Sequence, residues 1–195
     1  SSSTPVINGS IEHNNGTFYF DRSGTCAWNM QNGVAQTWYD WELKASTNSS
    51  INWNGGYDDK LALEGTLTIG SGCTFAMESG SQGRVLEMGT SSAAGTIANS
   101  GTLDLDCAGS GHVSISGAST LYPAVCTGTD WDWDDGSSGA GKVKLANIDY
   151  QMAITTGGGG AEIQLDGDCE FDAVTISTGD KIDVNGQRME CSGQM

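Results

Sequence analysis

The densest group of cation-binding side chains is the run Asp130-Trp131-Asp132-Trp133-Asp134-Asp135-Gly136. Carboxylates at alternating positions ahead of a glycine can wrap a hard cation, because Ca²⁺ gathers oxygen ligands around a tight turn. The spacing departs from an EF-hand loop. One extra Asp precedes Gly136, and Gly141 stands where the closing Glu is required, so a true EF-hand is excluded. Three uses of the run stay open. Asp130, Asp132, Asp134 and Asp135 could form a looser Ca²⁺ site. Trp131 and Trp133 could stack sugar rings while the carboxylates bond hydroxyls. The run could also be an acidic loop anchored by one buried Trp.

Other chemistry is sparser. Asp104 and Asp106 flank Leu105, which puts both carboxylates on one strand face, roughly 6.5–7 Å apart. Inverting glycosidases hold their two carboxyl groups about 6.5–9.5 Å apart. With Leu103 and Leu105 turned inward, the simpler account is two solvated carboxylates. Asp166 and Asp168 repeat the pattern across a Gly167 turn. His13 and His112 are the only imidazoles and sit in no triad or metal-ligand spacing; His112 is expected to cap a turn. Arg84, Lys142, Lys144, Lys181 and Arg188 are few cations for uronate-cleaving lyase chemistry. Gly157–Gly160 has no following Lys, which rules out a phosphate cradle. The expectation is therefore a protein without catalysis, with a glycoside-hydrolase-like activity as the rival.

The elements that must position these residues are short strands. From residue 61 the chain runs through alternating apolar and polar stretches, such as Thr66-Leu67-Thr68-Ile69, Val113-Ser114-Ile115 and Glu162-Ile163-Gln164-Leu165. Each buries one face. Gly-Ser, Asp-Gly and Asn-Gly pairs between them favour turns. One pattern recurs ninety-six residues apart: Leu67-Thr68-Ile69-Gly70-Ser71-Gly72-Cys73-Thr74-Phe75 and Ile163-Gln164-Leu165-Asp166-Gly167-Asp168-Cys169-Glu170-Phe171. Leu103-Asp104-Leu105-Asp106-Cys107 is a contracted copy. Cys and Phe in register predict ladders of like residues, as in solenoids. The predicted fold is all-β: a parallel β-helix of about six rungs over residues 61–195, at roughly 4.8 Å per rung. The alternative is a β-sandwich.

Composition divides the chain. Residues 1–60 hold nine of the 15 aromatics and a net charge of −3; residues 61–195 hold 23 of the 29 glycines and −13. The first part reads as an aromatic-rich cap or docking segment, with Trp28, Trp38, Trp41 and Trp53 as its anchors. The second reads as the Gly-rich solenoid. Its far end, Cys191-Ser192-Gly193-Gln194-Met195, shows no cap, which points to a partner chain and a homo-oligomer or lattice. A total of −16 repels nucleic acid and anionic lipid. Ser1–Pro5 has neither the basic start nor the apolar stretch of a secretion signal. The six cysteines show no C-x-x-C, and Cys73 and Cys169 read as small buried hydrophobes; stacked disulfides are the other possibility.

Residues 161–193 resemble the β-helical rungs of phage virion proteins. The resemblance rests on Ala161 through Ser177, with Glu162-Ile163-Gln164-Leu165, Cys169-Glu170-Phe171 and Val174-Thr175-Ile176, and on the continuation Gly179 through Gln187. Such segments occur in tail spikes, tail fibres and capsid decoration proteins. The resemblance implies a non-enzymatic, oligomeric structural role on the virion surface, after assembly in a host cytoplasm and beside other virion proteins. It matches no catalytic motif. A carbohydrate-binding or polysaccharide-depolymerising tail spike is the alternative function, and a cell-surface adhesin repeat the second alternative.

Overall fold

The computed structural model describes residues 14–21, 24–28, 36–44, 49–53, 59–78, 83–106, 112–128, 131–132, 142–155, 162–176 and 178–192. The described elements are all strands. They begin with β1 (Thr17–Phe20), β2 (Gly24–Trp28) and β3 (Gln36–Trp38), followed by β4 (Asp40–Leu43), β5 (Ser49–Trp53) and β6 (Asp59–Leu63). Then come β7 (Thr66–Ile69), β8 (Thr74–Glu78), β9 (Gly83–Met88), β10 (Thr96–Asn99), β11 (Thr102–Asp106) and β12 (His112–Gly117). The series continues with β13 (Ala124–Gly128), β14 (Trp131–Asp132), β15 (Lys142–Ala146) and β16 (Ile148–Thr155). It ends with β17 (Glu162–Leu165), β18 (Cys169–Thr175), β19 (Lys181–Asp183) and β20 (Met189–Cys191).

These strands form three sheets. Sheet I has the order β1-β4-β7-β10-β13-β16-β18-β20, sheet II β14-β11-β8-β5-β2, and sheet III β19-β17-β15-β12-β9-β6-β3. The chain visits I, II and III in rotation for five rounds. After β14 it alternates between I and III only. Each neighbouring pair is parallel, for example Leu67 beside Ile97 and Phe171 beside Cys191. The antiparallel pairs on which a sandwich is built are absent among these strands. Register partners lie between 19 residues apart (Glu162 to Lys181) and 30 (Leu67 to Ile97). The sheets cross residue 60 without a break, since β6 straddles it.

Alternation places the core. β7, β10 and β17 each read half-buried, buried, half-buried, buried. Their inward residues join one cluster drawn from all three sheets, with Leu43, Leu67 and Ile97 from sheet I, Phe75 and Leu103 from sheet II, and Leu86 and Leu165 from sheet III. Each such side chain stabilises by about 1.5–3 kcal/mol relative to exposure. At one end an aromatic group closes the cluster. Phe18 lies 4.8 Å from Phe20 and 5.0 Å from Trp38, and Trp41 lies 5.0 Å from Phe20 and 6.4 Å from Phe75.

The repeated Cys-x-Phe pattern is not a ladder. Phe75 sits in sheet II between Ile51 and Leu103. Phe171 sits in sheet I beside Tyr150 and Cys191. Residues 67–75 turn the corner from sheet I to sheet II, whereas residues 163–171 turn the corner from III to I. The common demand is local: a tight turn, a buried thiol at its exit, and the next inward residue. At the first of these corners the Cys73 N–H donates to the Gly70 carbonyl at 3.0 Å, and Thr102 N–H of the next round donates to the Cys73 carbonyl at 2.9 Å. A Cβ on Gly101 would lie 2.2 Å from that carbonyl oxygen, so only glycine fits.

Two loops lengthen the rounds at the III-to-I corner. The first, between β9 and β10, is pinched at its neck. A Cβ on Gly89 would lie 2.4 Å from the Gly95 nitrogen, and one on Gly95 would lie 2.3 Å from the Gly89 nitrogen. Thr90 and Ala93 bridge within the loop. The second loop, between β12 and β13, carries Leu121 and Tyr122.

Candidate functional site

The outer face of sheet I ends in an acidic row. Asp149 in β16 pairs in register with Glu170 in β18, and Glu170 with Glu190 in β20. Neighbouring members stand roughly 4.8 Å apart along the row. Beside them, at the III-to-I corner, lies a cleft of ≈ 160 Å³ lined by Pro123, Asn147, Asp149, Asp168, Glu170 and Arg188. Its geometry follows from the turns. Asn147 takes a left-handed conformation with φ 55, and its Nδ2 donates to the Gly117 carbonyl at 3.4 Å, which ties two rounds together. Asparagine tolerates this conformation better than other side chains. The β12–β13 loop supplies Pro123 and also bears the exposed Leu121 (81%) and Tyr122 (43%).

Much of the charge around the cleft is engaged. The Arg188 N–H donates to Asp168 Oδ1 at 2.9 Å, and the guanidinium Nε lies 3.8 Å from Asp168 Oδ2. Its Nη1 pairs with Glu190. Nearby, Asp166 accepts from Gln164 at 2.6 Å and pairs with Lys144 at 3.3 Å. Cys169, in the cleft wall, donates its thiol to the Gly167 carbonyl at 3.5 Å. Burial pushes that thiol up to about 11; the nearby Asp168 charge adds to the rise, against the lowering by a backbone hydrogen bond at Ile148. Burial drives the Cys126 thiol up further, helped by Asp149 and by Cys169. Both shifts favour the protonated thiol at neutral pH. Cys73, Cys126, Cys169 and Cys191 form no disulfide, and the first three are buried. This agrees with the reading of Cys73 and Cys169 as small hydrophobes.

The residues singled out in the sequence are distributed differently. Asp130, Trp133, Asp134 and Asp135 lie outside the described residues. Trp131 and Asp132 form β14, where they pair with Leu103 and Asp104. Among the described residues no group of three or more His, Cys, Asp or Glu is arranged to hold a metal. Trp28 and Trp53 are register partners in β2 and β5. Trp38 and Trp41 require a correction as docking anchors. They are 6% and 1% exposed and form part of the core, so their rings offer no outer surface. Arg84 is likewise buried, with Nη1 donating to the Gly83 carbonyl at 3.2 Å, which removes it from any substrate face. His112 opens a strand, where a turn cap was expected. The cleft acids Asp149 and Glu170 were missed, because they lie twenty-one residues apart and meet only through register. No protein-family model, curated protein or solved structure matches the chain.

Proposed function

We propose that the three sheets close on one another as a single three-sided parallel β-helix, and that this coil is a non-enzymatic structural component of a virion surface. In this reading it decorates or cements a capsid, or forms part of an appendage, in contact with other virion proteins and further copies of itself. One observation carries the proposal: the polar groups best placed for chemistry are engaged in holding successive rounds together. Asp40 accepts the Thr66 N–H at 2.6 Å and the Thr17 hydroxyl at 3.4 Å; Asp168 holds Arg188; and the Cys169 thiol in the cleft wall is neutral. A net charge of −16 adds solubility at high local concentration. The test is electron cryomicroscopy of native particles. The chain is expected at symmetric capsid or appendage positions; purified particles that lack it would overturn the reading.

A carbohydrate-binding spike is the second reading, and the cleft favours it. Asp149 and Glu170 offer acceptors for hydroxyls, and Tyr122 offers a ring on the adjoining loop. Glycan-array binding that Tyr122→Ala abolishes would support it. Release of reducing ends from a polysaccharide would extend it to depolymerisation. A blank array would end it.

A further inference from the structure

We propose that the cleft at the III-to-I corner binds a cationic amino sugar, its ammonium held by Glu170 and Asp149 and its ring laid against the Tyr122 loop. The inference rests on the carbohydrate reading of the cleft and names its ligand class. Charge comes first. Asp149, Asp168, Glu170 and Arg188 stand among the nine lining residues, a net −2, while the whole chain carries −16 over 195 residues. Per residue the cleft is more than twice as acidic as the chain. Its one cation is already engaged, since Arg188 pairs with Asp168 and Glu190. Glu170 makes no hydrogen bond or ion pair among the described residues, and both of its register partners, Asp149 and Glu190, are acids. Like charges directly across neighbouring strands repel. Glu170 therefore costs the fold stability and returns no contact to it. Positions that break a local rule in this way mark function.

Shape and lining then select among cations. The acids stand in a row, roughly 4.8 Å apart along sheet I, and among the described residues no three of them converge as metal ligands do. A row suits an extended organic cation better than a point ion. An ammonium group carries three donors, enough to bridge the Asp149 and Glu170 carboxylates. At ≈ 160 Å³ the cleft is smaller than the about 300–1,000 Å³ of drug-sized pockets, so it seats one ring while the rest of an oligomer lies across the surface. The β12–β13 loop lines it with Thr120 and Pro123 and holds the exposed Leu121 and Tyr122 alongside. A tyrosine ring offers a flat apolar face to a sugar and attracts a cation lying over it. A lysine side chain brings the same charge without ring or hydroxyls. Thr120 and Asn147, which border the acids, favour the sugar.

Isothermal titration calorimetry of the 195-residue chain tests this with three probes: the fully deacetylated glucosamine tetramer, its fully N-acetylated counterpart, and tetralysine. At about pH 6, carboxyls with pKa near 4 are ionised and amines with pKa near 8 are protonated. The glucosamine tetramer should bind about tenfold more tightly than either other probe, because only it carries both charge and ring. Glu170→Gln should weaken it about tenfold, and Tyr122→Ala should weaken it as well. Glu42→Gln removes the same charge five strands away in sheet I, roughly 24 Å, and should leave binding unchanged. Without ligand, Glu170→Gln should melt no lower than the wild type. Equal binding of the acetylated tetramer overturns the inference and leaves the carbohydrate reading standing. Equal binding of tetralysine overturns it in favour of a basic protein segment. Absence of binding by the glucosamine tetramer also overturns it, and the glycan array then decides the carbohydrate reading separately. A lower melting midpoint for Glu170→Gln overturns it too, because the carboxylate would then serve the fold.

Discussion

Gln36 is the clearest point at which one substitution should strengthen the molecule. It occupies the first inward position of a sheet III row that continues through Leu61, Leu86, Ile115, Leu145 and Leu165. Its side chain is 6% exposed, and neither the amide nitrogen nor the amide oxygen has a hydrogen-bond partner among the described residues. A buried amide left unbonded costs about 1–3 kcal/mol. Gln36→Leu keeps nearly the same volume, removes that cost and extends the row with its own residue type. The expected gain is about 2 kcal/mol, read as a rise in thermal midpoint of about 4–8 °C for a domain of this size. Gln36→Glu sharpens the test. At neutral pH it places a carboxylate in the same apolar position, so stability should fall, and burial should raise its pKa. The deficit should therefore shrink as pH drops into the carboxyl range and the acid is neutralised in both states. A lower midpoint for Gln36→Leu, or a Gln36→Glu variant as stable as the parent, would refute the reasoning.

Alkaline conditions should destabilise the fold. The Cys169 pKa is raised from 9.0 to about 11, so above pH 9 the unfolded chain loses a proton that the folded chain keeps. The unfolded state then binds fewer protons, and stability falls as pH rises from 9 towards 11 by about 1.4 kcal/mol per pH unit for each such thiol. Cys126 steepens the same limb, and denaturant midpoints of Cys169→Ala against pH should show a shallower decline. Gly101→Ala should cost about 2–3 kcal/mol, because its Cβ would press on the Cys73 and Gly70 carbonyl oxygens. Gly186→Ala meets open space and should cost only about 1 kcal/mol, from its φ of +77. Asp40→Ala should cost about 1–2 kcal/mol in urea unfolding, because the Thr66 N–H loses its acceptor.

Alternation in the sequence was enough to find strands such as β7, β12 and β17, because each buries one face and the period is short. Register was not legible. The match between residues 67–75 and 163–171 suggested Phe over Phe, but it records what a corner requires, and corners of different sheets require similar things. Which strands become neighbours depends on how long each round is, and the rounds vary through loops such as those before β10 and β13. Trp38 and Trp41 illustrate a related gap. Their spacing of three would place them on opposite sides of a single strand, yet Tyr39 breaks the segment between β3 and β4. The alternation restarts at the break, and both rings turn inward. Composition marked the region as aromatic and could not say which side of the wall the rings take. The cleft beside Asp149 was equally hidden, since its walls come from four successive rounds, at the connections into β13, β16, β18 and β20.

The pinched glycines at residues 89 and 95 separate what happens outside the wall from what happens inside it. The chain leaves and re-enters at almost the same point, so the intervening residues hang from a stem that is itself tied to the neighbouring rounds, Gly89 N–H donating to the Leu63 carbonyl at 2.7 Å and the Gly95 carbonyl accepting from the Val125 N–H at 2.9 Å. Peptides, tags or fluorophores inserted between Ser91 and Ser92 should be displayed outward with the hydrogen-bonded rounds above and below undisturbed. The same architecture lets an evolving lineage vary its outer loops quickly while the scaffold that carries them hardly changes.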